Sequence, residues 1–414
     1  MFNILAYIDP GTGSMLFTII IGIVTTGVFL VRGLLIKFKF SLKGGKAKDI
    51  DKNKKPIVIF SDSKRYWNIF KPICDELEKR EQECTYMTAS PDDPALNEKY
   101  EYIKCEFIGE GNMAFAKLNM MSANICLSTT PGLDVLQWKR SKDVDFYVHT
   151  FHATDDGTGY RMFGLDYYDA VLLNGPIQEN KLRMIETVRG IQKKETELVG
   201  AVQLDTMKER FDKLSKDNLS VPKDIKTVLC APSWGDSSIL NRFGETLIQH
   251  LIDTGYKIII RPHPQSKVSE TEMLNALQNK FPNNEKFEWN FDNDNFNVLN
   301  EADIMISDFS GVIFDYIFIF DKPIIYADTY FDKSPYDAAW LEGQYWSIEV
   351  LPSLGVKLEE KDFPRIKEII DETIDSKEFQ MGRDNIRNKA WAYQNEAAKR
   401  TVDYLIKKLD ELKK

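Results

Sequence analysis

The chain has 414 residues and a formal net charge of −9, long enough for two domains plus an extension and too acidic to present a basic face to a duplex. Nucleic acid is therefore excluded as the main partner. Five cysteines (Cys74, Cys84, Cys105, Cys126 and Cys230) are scattered and odd in number, mostly in apolar strand-like runs. They read as buried free thiols in a reducing compartment, and no Cys-x-x-Cys pair or Cys/His cluster suggests structural zinc.

Residues 15–31 form an uncharged apolar run of about one bilayer thickness, extended past Arg32 by Leu34, Leu35 and Ile36. Ahead of it stand one acidic group, Asp9, and no Lys or Arg. Behind it come Arg32, Lys37, Lys39, Lys43, Lys46, Lys48, Lys52, Lys54 and Lys55 against Asp49 and Asp51. A cleavable signal peptide carries its positive charge in front, so the pattern predicts a membrane-spanning helix. The asymmetry puts the N-terminus outside and everything after Lys37 in the cytoplasm. The basic stretch then lies against anionic headgroups, at about 1 kcal/mol per near-surface cation. Residues 7–14 read as a turn before the helix, with no chemistry assigned to them.

From Pro56, strand-like runs alternate with helical patterns. Strands are expected over 56–60, 85–88, 106–108, 124–127, 145–149 and 170–173, with an amphipathic helix around 67–79. Residues 198–200 close this half, and 204–214 is a charged helix leading to 216–223, the best linker candidate. The alternation restarts with strands at 226–231 and 257–261, helices at 238–251 and 268–277, and strands at 302–307 and 323–327. This spacing predicts βαβ units and parallel sheets. The expected fold class is α/β, two Rossmann-like domains facing a cleft (GT-B type), with an N-terminal transmembrane helix. The expected division is 1–55 for the anchor and its basic flank, 56–215 for an acceptor-side domain and 222–384 for a nucleotide-donor domain. A helix over 385–414 packs back across both.

The second half is organised around residues 304–316. An apolar run ends at Ser307, a polar turn carries Asp308 and Ser310, and a helical pattern starts near Gly311 and includes Asp315. Ser310 is the expected N-cap, and the N–H groups beyond it make an anion site in the crevice outside the strand ends. In Arg261-Pro262-His263-Pro264 two prolines stiffen the backbone, so a guanidinium fork and an imidazolium donor face a pyrophosphate from a rigid strand end. Ser233 and Trp234 offer a hydroxyl and a flat aromatic for a phosphate or base contact, with plain packing of the Trp as the alternative.

In the first half, His149 and His152 follow a strand, and their spacing of three in extended chain argues against joint zinc binding. His250 reads as a packing or surface residue. His152 opens a glycine-containing polar loop, 153–161, where an imidazole can take a proton from an attacking hydroxyl. Asp155 or Asp156 either orients it or is itself the base, and an ordinary Asp-Asp-Gly turn is the alternative.

With these pieces together, the second half resembles the CDP-glycerol glycerophosphotransferases, the teichoic-acid primases and polymerases. The resemblance rests on Ala231-Pro232-Ser233-Trp234-Gly235-Asp236, the Arg261–Pro264 tetrapeptide, and 307–316 followed by Lys322-Pro323-Ile324-Ile325-Tyr326. It extends to residues 200–210, which look like the segment closing the family's first domain. The resemblance implies peripheral membrane attachment, no required nucleotide-site metal or other cofactor, and transfer of glycerol phosphate from CDP-glycerol. It assigns diphosphate contacts to His263, Ser307, Asp308 and Ser310, and the catalytic role to His152. Two departures stand out: the family's Trp-His-Gly-Thr-Pro-Leu-Lys is here Phe151-His152-Ala153-Thr154 without the lysine, and its Ser-Ser pair is Ser310-Gly311.

The expected function is a single-pass enzyme of the cytoplasmic membrane, its catalytic part cytoplasmic. It moves a polyol phosphate from a CDP-activated donor to a membrane-borne glycan or lipid-linked acceptor. Asp155-Asp156-Gly157 with a later His-Pro is also similar to motifs of bacterial sialyltransferases, which makes a CMP- or UDP-sugar glycosyltransferase the enzymatic alternative. A membrane-tethered nucleotide-binding protein without turnover is the non-enzymatic one.

Overall fold

In a computed structural model the described residues are 54–217, 225–292, 294–327 and 330–414. The expected transmembrane run and its basic flank as far as residue 53 lie outside them, as does most of the expected linker. Among the described residues no helix is long and apolar enough to cross a membrane.

The first half begins with β1 (Lys55–Ser61), α1 (Trp67–Lys79), β2 (Cys84–Thr88), β3 (Ile103–Phe107) and α2 (Asn112–Leu118). It continues through β4 (Ala123–Ser128), β5 (Val144–Thr150), β6 (Ala170–Leu173), α3 (Pro176–Arg189), β7 (Glu195–Leu198) and α4 (Val202–Asp217). The strands form one sheet in the order β3-β2-β1-β4-β5-β6-β7, every pair parallel. β1 and β4 are the apolar runs Ile57–Phe60 and Ile125–Leu127, fully buried as a strand covered on both faces must be. α1 has the amphipathic spacing its sequence shows, with Ile69, Phe70, Ile73 and Leu77 on the sheet. β7, at the edge, alternates exposed and half-buried residues, which is why its pattern is weak.

The second half comprises β8 (Thr227–Cys230), α5 (Ile239–Asp253), β9 (Lys257–Ile260), α6 (Ser266–Ser269), α7 (Thr271–Lys280), β10 (Phe287–Trp289) and α8 (Phe296–Glu301). Then come β11 (Ile304–Ser307), α9 (Val312–Ile319), β12 (Ile324–Ala327), α10 (Trp346–Glu349), β13 (Gly355–Leu358) and α11 (Ile366–Asp375). Its sheet order is β10-β9-β8-β11-β12-β13, again parallel. The two outer strands, of three and four residues, are too short to leave a periodic signal. α9 is buried on all sides from Ile313 to Ile319, so it has no polar face to find.

The C-terminal stretch is two helices rather than one, α12 (Gln380–Ala390) and α13 (Ala397–Leu412). α12 packs on α9 and on α3, and α13 returns to the first sheet, burying Val402, Leu405 and Leu409 against α1. Asp205, in the motif that closes the first half, makes the turn between them. Its carboxylate accepts from Trp391 Nε1 (3.0 Å) and from the N–H groups of Asn395 (2.8 Å) and Ala397 (2.9 Å). Gly200 has φ +97°, and a Cβ there would lie 2.5 Å from the Ala392 carbonyl, so only glycine admits the crossing. All five cysteines are unpaired, four of them buried.

Candidate functional site

Each sheet changes direction of growth at one place, between β1 and β4 in the first and between β8 and β11 in the second. Open α/β sheets bind ligands outside the carboxyl ends of the strands at such a point. A cavity of about 460 Å³ lies there, lined from both halves.

From the first half come the turn after β1, carrying Arg65 and Tyr66, and the loop after β5, carrying His152 and Asp155. The Arg65 guanidinium lies 4.7 Å over the Tyr66 ring, and that ring meets His152 at 4.9 Å, making a row of cation, phenol and imidazole. His152 Nδ1 is 3.3 Å from the Thr129 carbonyl and 3.0 Å from its hydroxyl. With its hydrogen on Nδ1 the ring donates to that carbonyl, and Nε2 keeps its lone pair. Burial, then the Arg65 charge, bring the His152 pKa down to about 4, so the ring is neutral at pH 7. Asp155 accepts from Gly157 N–H at 2.8 Å and from the Tyr345 hydroxyl at 3.2 Å. Burial first, and the neighbouring Asp156 charge second, push its pKa up to about 7.

Asp156 does not share this position. Its Oδ1 accepts from both the N–H (2.9 Å) and the hydroxyl (2.8 Å) of Thr158, and it faces a small inner cavity with Phe151, Leu165 and Leu182. The ambiguity between the two aspartates is thus resolved by the turn: one carboxylate reaches the cleft and the other holds the loop. His149 is fully buried and points at the Tyr160 hydroxyl, 3.0 Å away.

From the second half, Ser233 and Trp234 line the cavity after β8, Arg261 and His263 after β9, and Ser310, Gly311 and Asp315 after β11. His263 Nδ1 accepts the Gln265 N–H at 3.1 Å, which leaves Nε2–H as the donor. Burial and then Arg65 lower its pKa to about 4, so the ring is neutral at pH 7 where an imidazolium was expected. Arg261 does not offer a full fork: it is bonded to Asn290 Oδ1 and, at 2.7 Å, to the Asp292 carbonyl. Trp234 tilts toward His263 with ring centroids 6.4 Å apart.

The turn at 307–311 also differs in detail from expectation. Ser307 and Asp308 lie beneath the cavity, fully buried. Ser307 Oγ donates to the Ala231 carbonyl at 2.6 Å. The Asp308 carboxylate accepts from the N–H groups of Ser233 (2.8 Å), Ile239 (3.0 Å) and Phe309 (2.7 Å). Both therefore shape the β8 loop from below. Ser310 makes no side-chain cap; its carbonyl accepts from Ile313 at 3.2 Å, and Gly311 is the cap residue of α9. Gly311 and Val312, whose N–H groups come ahead of the first helical bonds, line the cleft at the helix end where the dipole favours an anion. A Cβ at Gly311 would meet nothing within 4 Å. Asp315, one turn in, accepts from Gln203 Nε2 at 3.1 Å and Asn295 Nδ2 at 3.4 Å, and burial pushes its pKa up to about 7.

Sequence reasoning missed Arg65, Tyr66, Gln203 and Tyr345. The polar run 61–65 directly after the first strand was a usable signal for Arg65, since ligands bind at strand ends. Tyr345 had none. Among the described residues no His, Cys, Asp and Glu side chains are grouped in threes to hold a metal ion.

The sequence model of the CDP-glycerol:poly(glycerophosphate) glycerophosphotransferase family matches residues 47–408. No curated protein matches the chain. Among solved structures, Staphylococcus aureus MnaA with UDP superposes with TM-score 0.54 at 14% identity, covering 87% of this chain and 98% of that one. Neisseria meningitidis UDP-GlcNAc 2-epimerase bound to UDP-GlcNAc gives 0.53 at 13% identity, with 85% and 100% covered. Methanocaldococcus jannaschii UDP-GlcNAc 2-epimerase with UDP-GlcNAc and UDP gives 0.52 at 13%, with 85% and 99% covered. At these identities the likeness establishes the two-domain GT-B-like fold.

Proposed function

Because the chain belongs to the CDP-glycerol:poly(glycerophosphate) glycerophosphotransferase family, an enzyme family, we propose that it transfers glycerol phosphate, or a related polyol phosphate, from a CDP-activated donor. The observation that carries this reading is one cleft shared by a proton acceptor from the first sheet, His152, and anion donors from the second, His263 and the start of α9. The acceptor hydroxyl attacks the phosphorus that bears the polyol. Its proton passes to His152 Nε2, the bond from that phosphorus to the bridging oxygen breaks, and CMP leaves. His263 Nε2–H, the N–H groups of Gly311 and Val312, and Arg65 stabilise the charge that builds on the phosphates. A phosphate beside Arg65 offsets its charge and makes His152 more basic than Arg65 alone leaves it. Asp155 accepts a hydrogen bond from the acceptor and orients it.

The apolar run at 15–31 and its basic flank support a single-pass anchor in the cytoplasmic membrane, which would present a membrane-borne glycan or lipid-linked acceptor to the cleft. The test is CMP release by the detergent-solubilised chain from CDP-glycerol, CDP-ribitol and CMP-sialic acid, with a membrane extract as acceptor. Release from a CDP-polyol, reduced about 10²–10⁴-fold in His152→Ala, is expected of a general base. Near-native turnover in that variant would sink the assignment. A second reading, sugar transfer with Asp155 as base, is favoured by the place of this carboxylate in the cleft, where burial pushes its pKa up to about 7. Release from the CMP-sugar alone, abolished by Asp155→Asn and spared by His152→Ala, would establish it instead.

A further inference from the structure

Asp155 belongs to the first half, yet its orientation comes from the second. Residues 331–345 run across to the 158–164 loop and are stitched to it by backbone bonds. Met162 N–H reaches the Pro335 carbonyl at 3.2 Å, Asp337 N–H reaches Tyr160 at 2.8 Å, and Ala338 N–H reaches Thr158 at 2.9 Å. At the end of this segment Tyr345, 7% exposed, turns its hydroxyl onto Asp155 Oδ2. The space for it exists because residue 159 is glycine: a Cβ there would be 2.4 Å from the Tyr345 oxygen. The Tyr345 ring stacks on Phe331 at 4.9 Å and 24°, and Phe331 meets Phe309 edge-on at 5.1 Å. Phe309 stands between Asp308 and Ser310 in the turn that opens the anion site.

We propose that Tyr345 is a positioning residue, fixing the Asp155 carboxylate in the cleft and tying it through Phe331 to the donor-side turn at Phe309. The acceptor-orienting carboxylate is thereby held from the half that binds the nucleotide. The inference rests on the cleft being the transfer site. Burial keeps the Tyr345 phenol well above its ordinary pKa, so it is always a donor. The charged and titratable groups around Asp155 are Asp156, Tyr160 and Tyr345, with Arg65, Tyr66, His152, Arg261, His263, Asp315 and Tyr336 lining the same cavity.

The experiment compares the full chain, Tyr345→Phe, Asp155→Asn and the double variant in two readouts. Tyr345→Phe keeps the ring and its stacking. In CMP release it should lower kcat about 10- to 100-fold, the range for losing a hydrogen bond to a charged group, with the donor KM within about twofold. The acid limb of its pH profile should move up, because the ionised carboxylate loses a donor. The double variant should be no slower than Asp155→Asn. Additive losses, or an unmoved acid limb, would overturn the proposal. Melting against pH needs no turnover: the Tyr345→Phe deficit should grow as pH rises through 7 and vanish in the Asp155→Asn background. A pH-independent deficit overturns the coupling, whereas coupling in the melt without CMP release from any donor refutes the transfer reading and leaves the coupling standing.

Discussion

Asp337 is where the crossing segment is anchored, and its removal should be felt as lost stability and lost turnover together. Its carboxylate accepts from the Phe163 N–H at 2.8 Å, the Gly164 N–H at 3.0 Å and Arg189 Nη1 at 2.7 Å. The side chains of Asp337 and Arg189 are 6% and 3% exposed. Breaking a buried pair by deleting one partner costs about 3–5 kcal/mol, because the survivor keeps an uncompensated charge. Here Arg189 retains Asp166 and lies over the rings of Phe163 (4.6 Å) and Trp340 (5.6 Å), which holds the ionic share near the lower end. The two orphaned N–H groups add to it, at about 1–3 kcal/mol each where water does not reach them. Asp337→Ala should therefore lose about 5 kcal/mol, with each of these contributions at its lower end. With an unfolding entropy of about 2.1 cal/mol/K per residue over the folded part, that corresponds to a melting point lower by about 7 °C. Scanning calorimetry of the full chain in detergent measures it, and Asp337→Asn, which keeps one acceptor, should fall between. A shift under about 1 °C for the alanine variant would refute the reasoning that this pair holds the segment down.

Other expectations follow from the same geometry. Asp205→Ala removes three acceptor contacts at the turn into α13 and should cost about 2 kcal/mol, the upper range for a helix cap, read as a lower denaturation midpoint. His263→Ala should weaken CDP-glycerol binding in calorimetric titration as well as slow turnover; unchanged donor affinity would remove it from the diphosphate site. Asp315 has a folded pKa of about 7 against 3.8 unfolded, so stability falls as pH rises between those values and the cost persists above them. Asp315→Asn should accordingly raise the melting point most at pH 8 and clearly less at pH 5, where only about a third of the cost has built up; the opposite pH dependence would show that the carboxylate is stabilised as an anion. Gly311→Ser projects into open space and should leave the melting point within about 1 °C, consistent with the small effect of an unstrained surface change.

Much of the architecture was legible because it is local. Runs such as Ile57–Phe60 and Ile304–Ile306 are apolar without alternation, which only a strand covered on both faces requires, and α1 shows its buried stripe directly. The same locality exposed His152, His263 and Ser310, since each follows a strand, and strand ends are where such folds bind ligands. It also gave the family its ordered motifs. What the sequence could not supply was direction. Asp155 and Asp156 are adjacent and chemically alike, and only the turn held by Thr158 decides which faces the cleft. Ser307 and Asp308 read as ligand contacts, but the packing of β11 beside β8 spends their hydrogen bonds on the Ala231–Ile239 segment. Arg65 acts on two histidines 87 and 198 positions later in the chain, and Tyr345 on a carboxylate 190 residues earlier. Periodicity records which face of an element is buried; it carries no record of which distant side chain waits on the other side of a cleft. That pairing, and with it the charge state of each group in the site, is fixed only when the two sheets close on one another.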